Sequence, residues 1–116
     1  MAHGDPVDQG SYGSGAYWTS WKLLDAAVAT TTGVWIDVRG FRNFSVDITG
    51  ISIATVQLQG SNAATKPSNV TAGTQLGVDI TEDSFISIDL PLRWMKAVVS
   101  NYTSGTINAV LTSSVP

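Results

Sequence analysis

The stretch that decides the fold is residues 34–59, which read VWIDVRGFRNFSVDITGISIATVQLQ. Apolar side chains occupy alternate positions in three runs, and Gly40 and Gly50 separate these runs. A period of two is typical of antiparallel strands with one buried face. We therefore predict three strands, whose inward side chains are Val34, Ile36 and Val38, then Phe44, Val46 and Ile48, then Val56 and Leu58.

The same alternation continues beyond this stretch, in residues 76–80, 86–90, 95–99 and 107–111, with a less regular strand near residues 18–24. Residues that favour strands are abundant, with 12 Val, 8 Ile and 13 Thr. Turn-forming residues separate the runs at intervals of roughly ten residues, a spacing that suits a sandwich or a barrel. We therefore predict an all-β fold, an antiparallel β-sandwich of about eight strands.

Two places depart from simple alternation. Ile51 and Ile53 have the opposite parity to Val56, which predicts a bulge or a turn near Ile53. Trp94 and Val98 likewise oppose the apolar set of their own strand. That strand is therefore either buried on both faces or covered on its second face by something else.

The first 17 residues differ in composition from the rest of the chain. They contain several glycines and serines and few side chains that could form a core. We expect residues 1–17 to form an extended N-terminal arm and residues 18–116 to form the β-sandwich domain. Such an arm is either disordered or held by a neighbour as an added strand or clamp.

Composition argues against several classes of function. The chain has no cysteine and a single histidine, His3, so we expect neither thiol chemistry nor a catalytic triad nor a histidine-ligated metal. Six cations in a chain of net charge -3 do not make the basic surface that nucleic acid requires. There is no leader-like segment and no apolar run of membrane-spanning length. We expect a non-enzymatic, soluble protein that is synthesised in a cytosol and has no cofactor, metal, nucleic acid or membrane partner.

Carboxylates leave two alternatives open. Asp37 and Asp89 could act on a polysaccharide if they converged in a cleft, but acids at such positions are commonly solvated. Asp79, Glu82 and Asp83 place three carboxylates at one turn, and calcium binds such oxygen ligands. Acidic turns are also common without any ion.

Aromatic residues supply the sharpest lead to function. A tryptophan on a strand face can anchor a protein interface or stack on a sugar ring. Parity places Trp35 on the polar side of its strand, so we expect it to be exposed in the isolated chain. Trp18 and Trp21 stand where the arm meets the body, and Tyr12 and Tyr17 lie in the arm. We predict that these five residues contact a protein partner, unless one or two of the tryptophans simply close the ends of the sandwich.

The chain resembles small virion proteins of tailed phages over most of residues 33–112. The resemblance rests on the strand pair 33–50, the strand 54–62 with its Gly-Ser-Asn turn, the Arg-aromatic strand 92–100 and the Ser-Gly hairpin 103–110. Within that group the chain is similar to capsid decoration, or cement, proteins. The resemblance implies a jelly-roll sandwich on the capsid exterior of a virion, synthesised in the host cytoplasm. It also implies stabilisation of the head by bridging major capsid protein subunits. Because open sandwiches expose edge strands, we further expect a homo-oligomer, a dimer or a trimer.

The same landmarks are similar to those of discoidin-type galactose-binding-like domains. In this sequence Ala63 stands where those domains usually have Asp, and the tryptophan expected in the following loop is absent. This second resemblance implies glycan or membrane binding. The alternative function is a receptor- or carbohydrate-binding module of a phage tail or fibre, with exposed tryptophans as stacking platforms.

Overall fold

The computed structural model describes residue 3, residues 6–11 and residues 17–114, with the backbone alone for residues 6–11, 17, 18, 42 and 114. Every regular element in this part of the chain is a β-strand, and the strands form one hydrogen-bonded antiparallel sheet. The predicted antiparallel all-β fold is confirmed. None of the described residues belongs to a helix that could cross a membrane. The strands are β1 (Pro6–Ser11), β2 (Tyr17–Ala27), β3 (Ile36–Asp37), β4 (Arg42–Ser61), β5 (Thr74–Gln75), β6 (Ser84–Ile88) and β7 (Trp94–Ser114).

The two long strands β4 and β7 form a central ribbon. They pair antiparallel over their whole length, from Arg42 opposite Ser114 to Ser61 opposite Trp94. A straight strand of the 20 residues in β4 would extend about 66 Å. The longest dimension of the molecule is only 44 Å. The ribbon therefore bends.

The bend lies where the register of β4 on β7 shifts repeatedly, over residues 49–56. Gly50 and Gly105 have positive φ angles of 84° and 123° at this point. A Cβ atom on Gly50 would lie 1.8 Å from the carbonyl oxygen of Thr106, so no larger residue fits without movement. Because the register shifts on both sides of Ile53, the predicted irregularity there is confirmed.

The number of strands differs from the expected eight: seven occur in the described part of the chain. The sequence pattern treated Gly50 and the glycine at 105 as ends of strands, whereas β4 and β7 pass through them as bends. Residues 76–80 form no full strand, and Ile80 makes only an isolated bridge to Val56. The two-layer sandwich and its jelly-roll topology remain predictions.

Shorter strands flank the ribbon. β2 pairs with the C-terminal half of β7, and β1 pairs with β2. β6 pairs with the N-terminal half of β4, while β3 and β5 flank the other half of the ribbon. The described parts of the predicted arm thus contact the same chain: β1 lies on β2, and Nδ1 of His3 accepts a hydrogen bond of 2.6 Å from the backbone N–H of Asp25.

A single hydrophobic core joins both halves of the ribbon. The alternation in the sequence predicted its members correctly for most strands, since seven of the eight inward side chains expected in residues 34–59 belong to it and the eighth, Val34, is half-buried. The buried core consists of Leu23, Leu24, Ala27, Ile36, Val38, Phe44, Val46, Ile48, Val56, Leu58, Ile80, Ile88, Met95, Ala97, Val99, Ile107, Ala109 and Leu111.

Candidate functional site

Trp35, which we expected to be exposed, is buried, with 2% of its surface accessible. Its indole Nε1 donates to the carbonyl oxygen of Ser68 at 3.1 Å, and its backbone N–H donates to Oδ1 of Asn69 at 3.2 Å. The expectation of exposure was therefore wrong. Alternation along a strand predicts the face from which a side chain projects. It does not predict that the loop of residues 62–73 packs on that face.

The same loop covers Lys96 of β7, whose side chain is only 1% exposed. Its Nζ donates to the carbonyl oxygens of Asn69 and Thr71 at 2.7 and 2.9 Å. The ammonium group also lies 4.7 Å from the centre of the Trp35 ring, a cation–π distance. Burial lowers the pKa of Lys96, because it removes the water that stabilises the charged form.

Trp94 completes this buried outer face of β7. It is 6% exposed, and its Nε1 donates to the carbonyl oxygen of Ala63 at 3.0 Å. This part of β7 is thus buried on both faces, because a loop of the same chain covers the second face. Of the two alternatives left open by the sequence, burial on both faces is confirmed. A signal for this cover is present in the sequence, since Trp35 and Trp94 are both large apolar residues at outward positions.

A groove opens where β4 begins, next to the link from β6 to β7. Its volume is about 650 Å³, within the usual range of roughly 300–1,000 Å³ for binding clefts. Its lining combines apolar side chains with two arginines. We call it the arginine groove; its lining residues are Arg39, Gly40, Phe41, Asn62, Pro91, Leu92 and Arg93.

Arg39, one of the residues that line this groove, is held in place by its neighbours. Its Nε and Nη2 donate to the two carboxylate oxygens of Asp37 at 3.0 and 2.6 Å, and its guanidinium lies 5.1 Å from the Trp94 ring centre. The hydrogen-bonded Arg39 holds the pKa of Asp37 below its usual range, so the pair is charged at neutral pH. Arg93 is exposed and has no ion pair within the described residues; its backbone N–H donates to Oδ1 of Asn62 at 3.0 Å.

The arginine groove was not predicted from the sequence, because its two arginines are far apart along the chain. The pairing of β3 with β7 brings them together, and the backbone N–H of Val38 donates to the carbonyl oxygen of Arg93 at 2.9 Å. No motif marks this contact in the sequence.

Trp21 is the predicted interface residue that the structure brings next to this groove. Its ring meets Phe41 edge-on, with the ring centres 5.6 Å apart and the planes at 89°. Trp21 is half-buried. The backbones of Tyr17 and Trp18 lie in β2, but their side chains, like the whole of Tyr12, lie outside the described residues.

The acidic turn that could have bound calcium is engaged by the fold. Oδ1 of Asp79 accepts hydrogen bonds from the side-chain amides of Gln57 and Gln75 at 3.1 and 2.9 Å. Oδ1 of Asp83 accepts one from the backbone N–H of Ile51 at 2.9 Å. In residues 3, 6–11 and 17–114, no three His, Cys, Asp or Glu side chains are placed to hold a metal ion.

The two carboxylates of the polysaccharide alternative occupy different surroundings. Asp37 is ion-paired with Arg39 at 2.6 Å. Asp89 instead lines a groove beside β6. The residues that line this groove do not include Asp37.

No protein-family model matches this sequence, and no curated protein matches it. Among solved structures, the chain is similar to the crystal structure of the SPBc2 prophage-derived protein YomS, with a TM-score of 0.68. The match covers 85% of this chain and 94% of that chain at 17% sequence identity. At this level of identity the likeness shows a shared fold.

Proposed function

We propose that the protein is a non-enzymatic structural protein of a phage virion, specifically a capsid decoration protein. It binds the outer surface of the head and stabilises it by bridging subunits of the major capsid protein. The observation that carries the proposal is the arginine groove, which has the size and chemistry to hold a segment of another protein. A fold shared with a prophage-derived protein supports the same assignment.

The groove combines the two features that protein docking sites use. Phe41 and Leu92 offer apolar surface, whose burial favours association. Arg39 and Arg93 offer guanidinium groups, which bind a partner carboxylate with paired hydrogen bonds. Because Asp37 already fixes Arg39, little side-chain freedom is lost when the partner binds.

Attachment to the head would use many copies of the same groove contact. Many identical weak contacts add up when a protein covers a repeating shell, so each groove need bind only weakly. Tyr12 and Tyr17 of the N-terminal arm add contacts, together with Trp18 and Trp21 where the arm meets the body. The protein acts as a homo-oligomer, a dimer or a trimer, on the capsid exterior after synthesis in the host cytoplasm.

The alternative function, a receptor- or carbohydrate-binding module of a tail or fibre, needs tryptophan rings on the surface as stacking platforms. Trp35 and Trp94 are buried, with 2% and 6% exposed. Trp21 is half-buried against Phe41. Two of the three tryptophans with described side chains therefore offer no ring face to a sugar, which favours the decoration function.

The test is co-sedimentation of the full-length protein with phage heads that lack it. The double variant Leu92→Ser/Arg93→Ser removes one apolar group and one free cation from the groove. We expect it to lose attachment by about tenfold or more, because apolar and charged anchors near the centre of an interface dominate its affinity. The matched control is Val70→Ser/Lys66→Ser, which removes an exposed apolar residue and an exposed cation from the loop 62–73.

The control should attach like the unchanged protein. Equal attachment by the groove variant, or failure of the unchanged protein to bind heads at all, would contradict the proposal. Deleting residues 1–17 tests the arm in the same assay, and undiminished attachment would remove the arm from the interface.

A further inference from the structure

Strand β6 forms an edge of the sheet whose outer side has no strand partner in the described chain. It pairs with β4 from Ile88 opposite Phe44 to Ser84 opposite Ile48. Its sequence, SFISI, contains neither a charge nor a proline. Natural edge strands commonly carry such residues, which prevent the addition of another strand. β6 lacks them, so its backbone groups are open to a further strand.

Apolar surface surrounds this edge. Phe85, Val78 and Leu90 are 70%, 80% and 50% exposed. Two grooves lie beside the strand, one of about 460 Å³ lined by residues 76–82 and 84–86, and one of about 260 Å³ lined by residues 76, 77 and 86–90. An added strand presents its side chains on alternate sides. Both grooves include Leu76, Gly77 and Ile86, so they follow one another along the strand and can receive apolar side chains of the added strand.

The ends of β6 are acidic. Asp83 directly precedes the strand and Asp89 directly follows it, and both are exposed. Asp47 of β4, which pairs with Phe85, is exposed as well. Neither of the two grooves is lined by a lysine or an arginine. An apolar, uncharged strand is therefore bordered by negative charge.

This charge pattern disfavours a second copy of the chain as the added strand. An antiparallel pair of β6 strands centred on Ile86 would place Asp83 of one copy opposite Asp89 of the other. A parallel pair in register would place each acid opposite itself. Like charges directly opposite each other destabilise a strand pair. The complementary occupant is a different chain with positive charge at both ends.

We propose that β6 accepts an extended, apolar segment of a partner protein, with lysine or arginine at its ends, as an additional strand. Main-chain hydrogen bonds provide affinity, and the flanking grooves select apolar side chains. Asp83 and Asp89 select the positive ends and disfavour acidic ones. The assignment of this segment to the capsid shell rests on the function proposed above. The recognition chemistry of the β6 edge does not depend on that function.

The experiment measures binding of two fluorescent peptides to the full-length protein by anisotropy. Both have a core of alternating valine and threonine; one has lysines at its ends and the other glutamates. We expect the lysine peptide to bind about tenfold or more tightly, because complementary charge at the strand ends is present in that peptide alone. Every second backbone amide of residues 84–88 should gain protection from hydrogen exchange, a change that purely electrostatic attraction would not produce.

Variants locate the binding on β6. Phe85→Ser should weaken binding of the lysine peptide severalfold. Val70→Ser changes a comparably exposed apolar residue in the loop 62–73 and should leave the affinity for this peptide unchanged. Asp89→Lys should reduce the preference for the lysine peptide. Equal binding of the two peptides, or binding without protection in β6, would overturn the inference.

The two proposals fail in different ways. If the lysine peptide binds at β6 but the protein does not attach to heads, the decoration function is wrong and strand addition stands. If the protein attaches to heads but neither peptide binds at β6, strand addition is wrong and the decoration function stands.

Discussion

The ammonium group of Lys96 lies between two backbone carbonyls and an indole ring, shielded from water by residues 62–73. A buried charge is stable only when hydrogen bonds replace its water shell. Here the replacements come from Asn69 and Thr71 in the loop and from Trp35. The lysine therefore fastens the loop to the outer face of β7 as part of the fold.

Replacing this lysine should release the loop. Lys96→Met keeps a long apolar side chain beside Trp35 but removes both hydrogen bonds to the loop. Because hydrogen bonds to charged groups contribute about 1.5–3 kcal/mol each and the methionine avoids the desolvation of a charge, we expect a net loss of about 1–3 kcal/mol. The measurements are the free energy of unfolding in denaturant and the hydrogen exchange of residues 62–73.

The matched control is Lys66→Met, which changes an exposed lysine of the same loop. It should alter neither the free energy of unfolding nor the exchange of the loop. Unchanged exchange in Lys96→Met would show that the loop is held by other contacts, such as the hydrogen bond from Trp94 to Ala63.

Among the elements, the bent ribbon of β4 and β7 depends most on single backbone positions. Gly50→Ala would place a Cβ atom 1.8 Å from the carbonyl oxygen of Thr106. Gly77→Ala is the matched control, since Gly77 has a similar positive φ of 80° but no atom within 4 Å of an added Cβ. We expect Gly77→Ala to cost about 1–2 kcal/mol from the left-handed backbone alone. Gly50→Ala should cost clearly more, or prevent folding.

Thermal unfolding of the two variants, followed by circular dichroism, checks this prediction. Similar melting temperatures for the two would mean that the ribbon absorbs the added methyl by shifting, and that close backbone packing does not determine the bend.

The strands themselves were largely predictable, and the connections between them were not. Alternation identified the inward side chains of β4 and β7, because a period of two follows from local backbone geometry. It did not show that β4 continues through Gly50. A glycine with positive φ can end a strand in a hairpin or bend a continuous one, and only the pairing with β7 distinguishes the two.

Across the whole molecule, both halves of the ribbon share one core, so they should unfold together. Leu58 and Leu111 lie on different sides of the bend, and both are fully buried. We expect Leu58→Ala and Leu111→Ala each to reduce the free energy of unfolding by about 2–5 kcal/mol. Each variant should still unfold in one transition, seen alike by tryptophan fluorescence and by circular dichroism.

Leu90→Ala is the control, because Leu90 is half exposed and should change stability little. Two separate transitions in either core variant would indicate that the halves on the two sides of the bend form independent units.

The candidate docking surfaces were only partly predictable from the sequence. Trp21, which was predicted as an interface residue, contacts Phe41 of the arginine groove, and its contact with a partner stays a prediction. Trp35 was misplaced because a loop distant in sequence covers it. The groove itself depends on Arg39 and Arg93, which only the pairing of β3 with β7 brings together. Contacts of this kind are properties of the tertiary fold.

The way in which the loop 62–73 is held determines which of its residues can be substituted. Trp35, Trp94 and Lys96 hold the loop largely through its backbone oxygens. A backbone oxygen is present whatever the residue, so the outward side chains, Lys66 and Val70 among them, are left free to diverge. We expect Lys66 and Val70 to tolerate substitution more readily than buried strand positions, and the part of the loop around them to be a suitable place for displaying a foreign peptide.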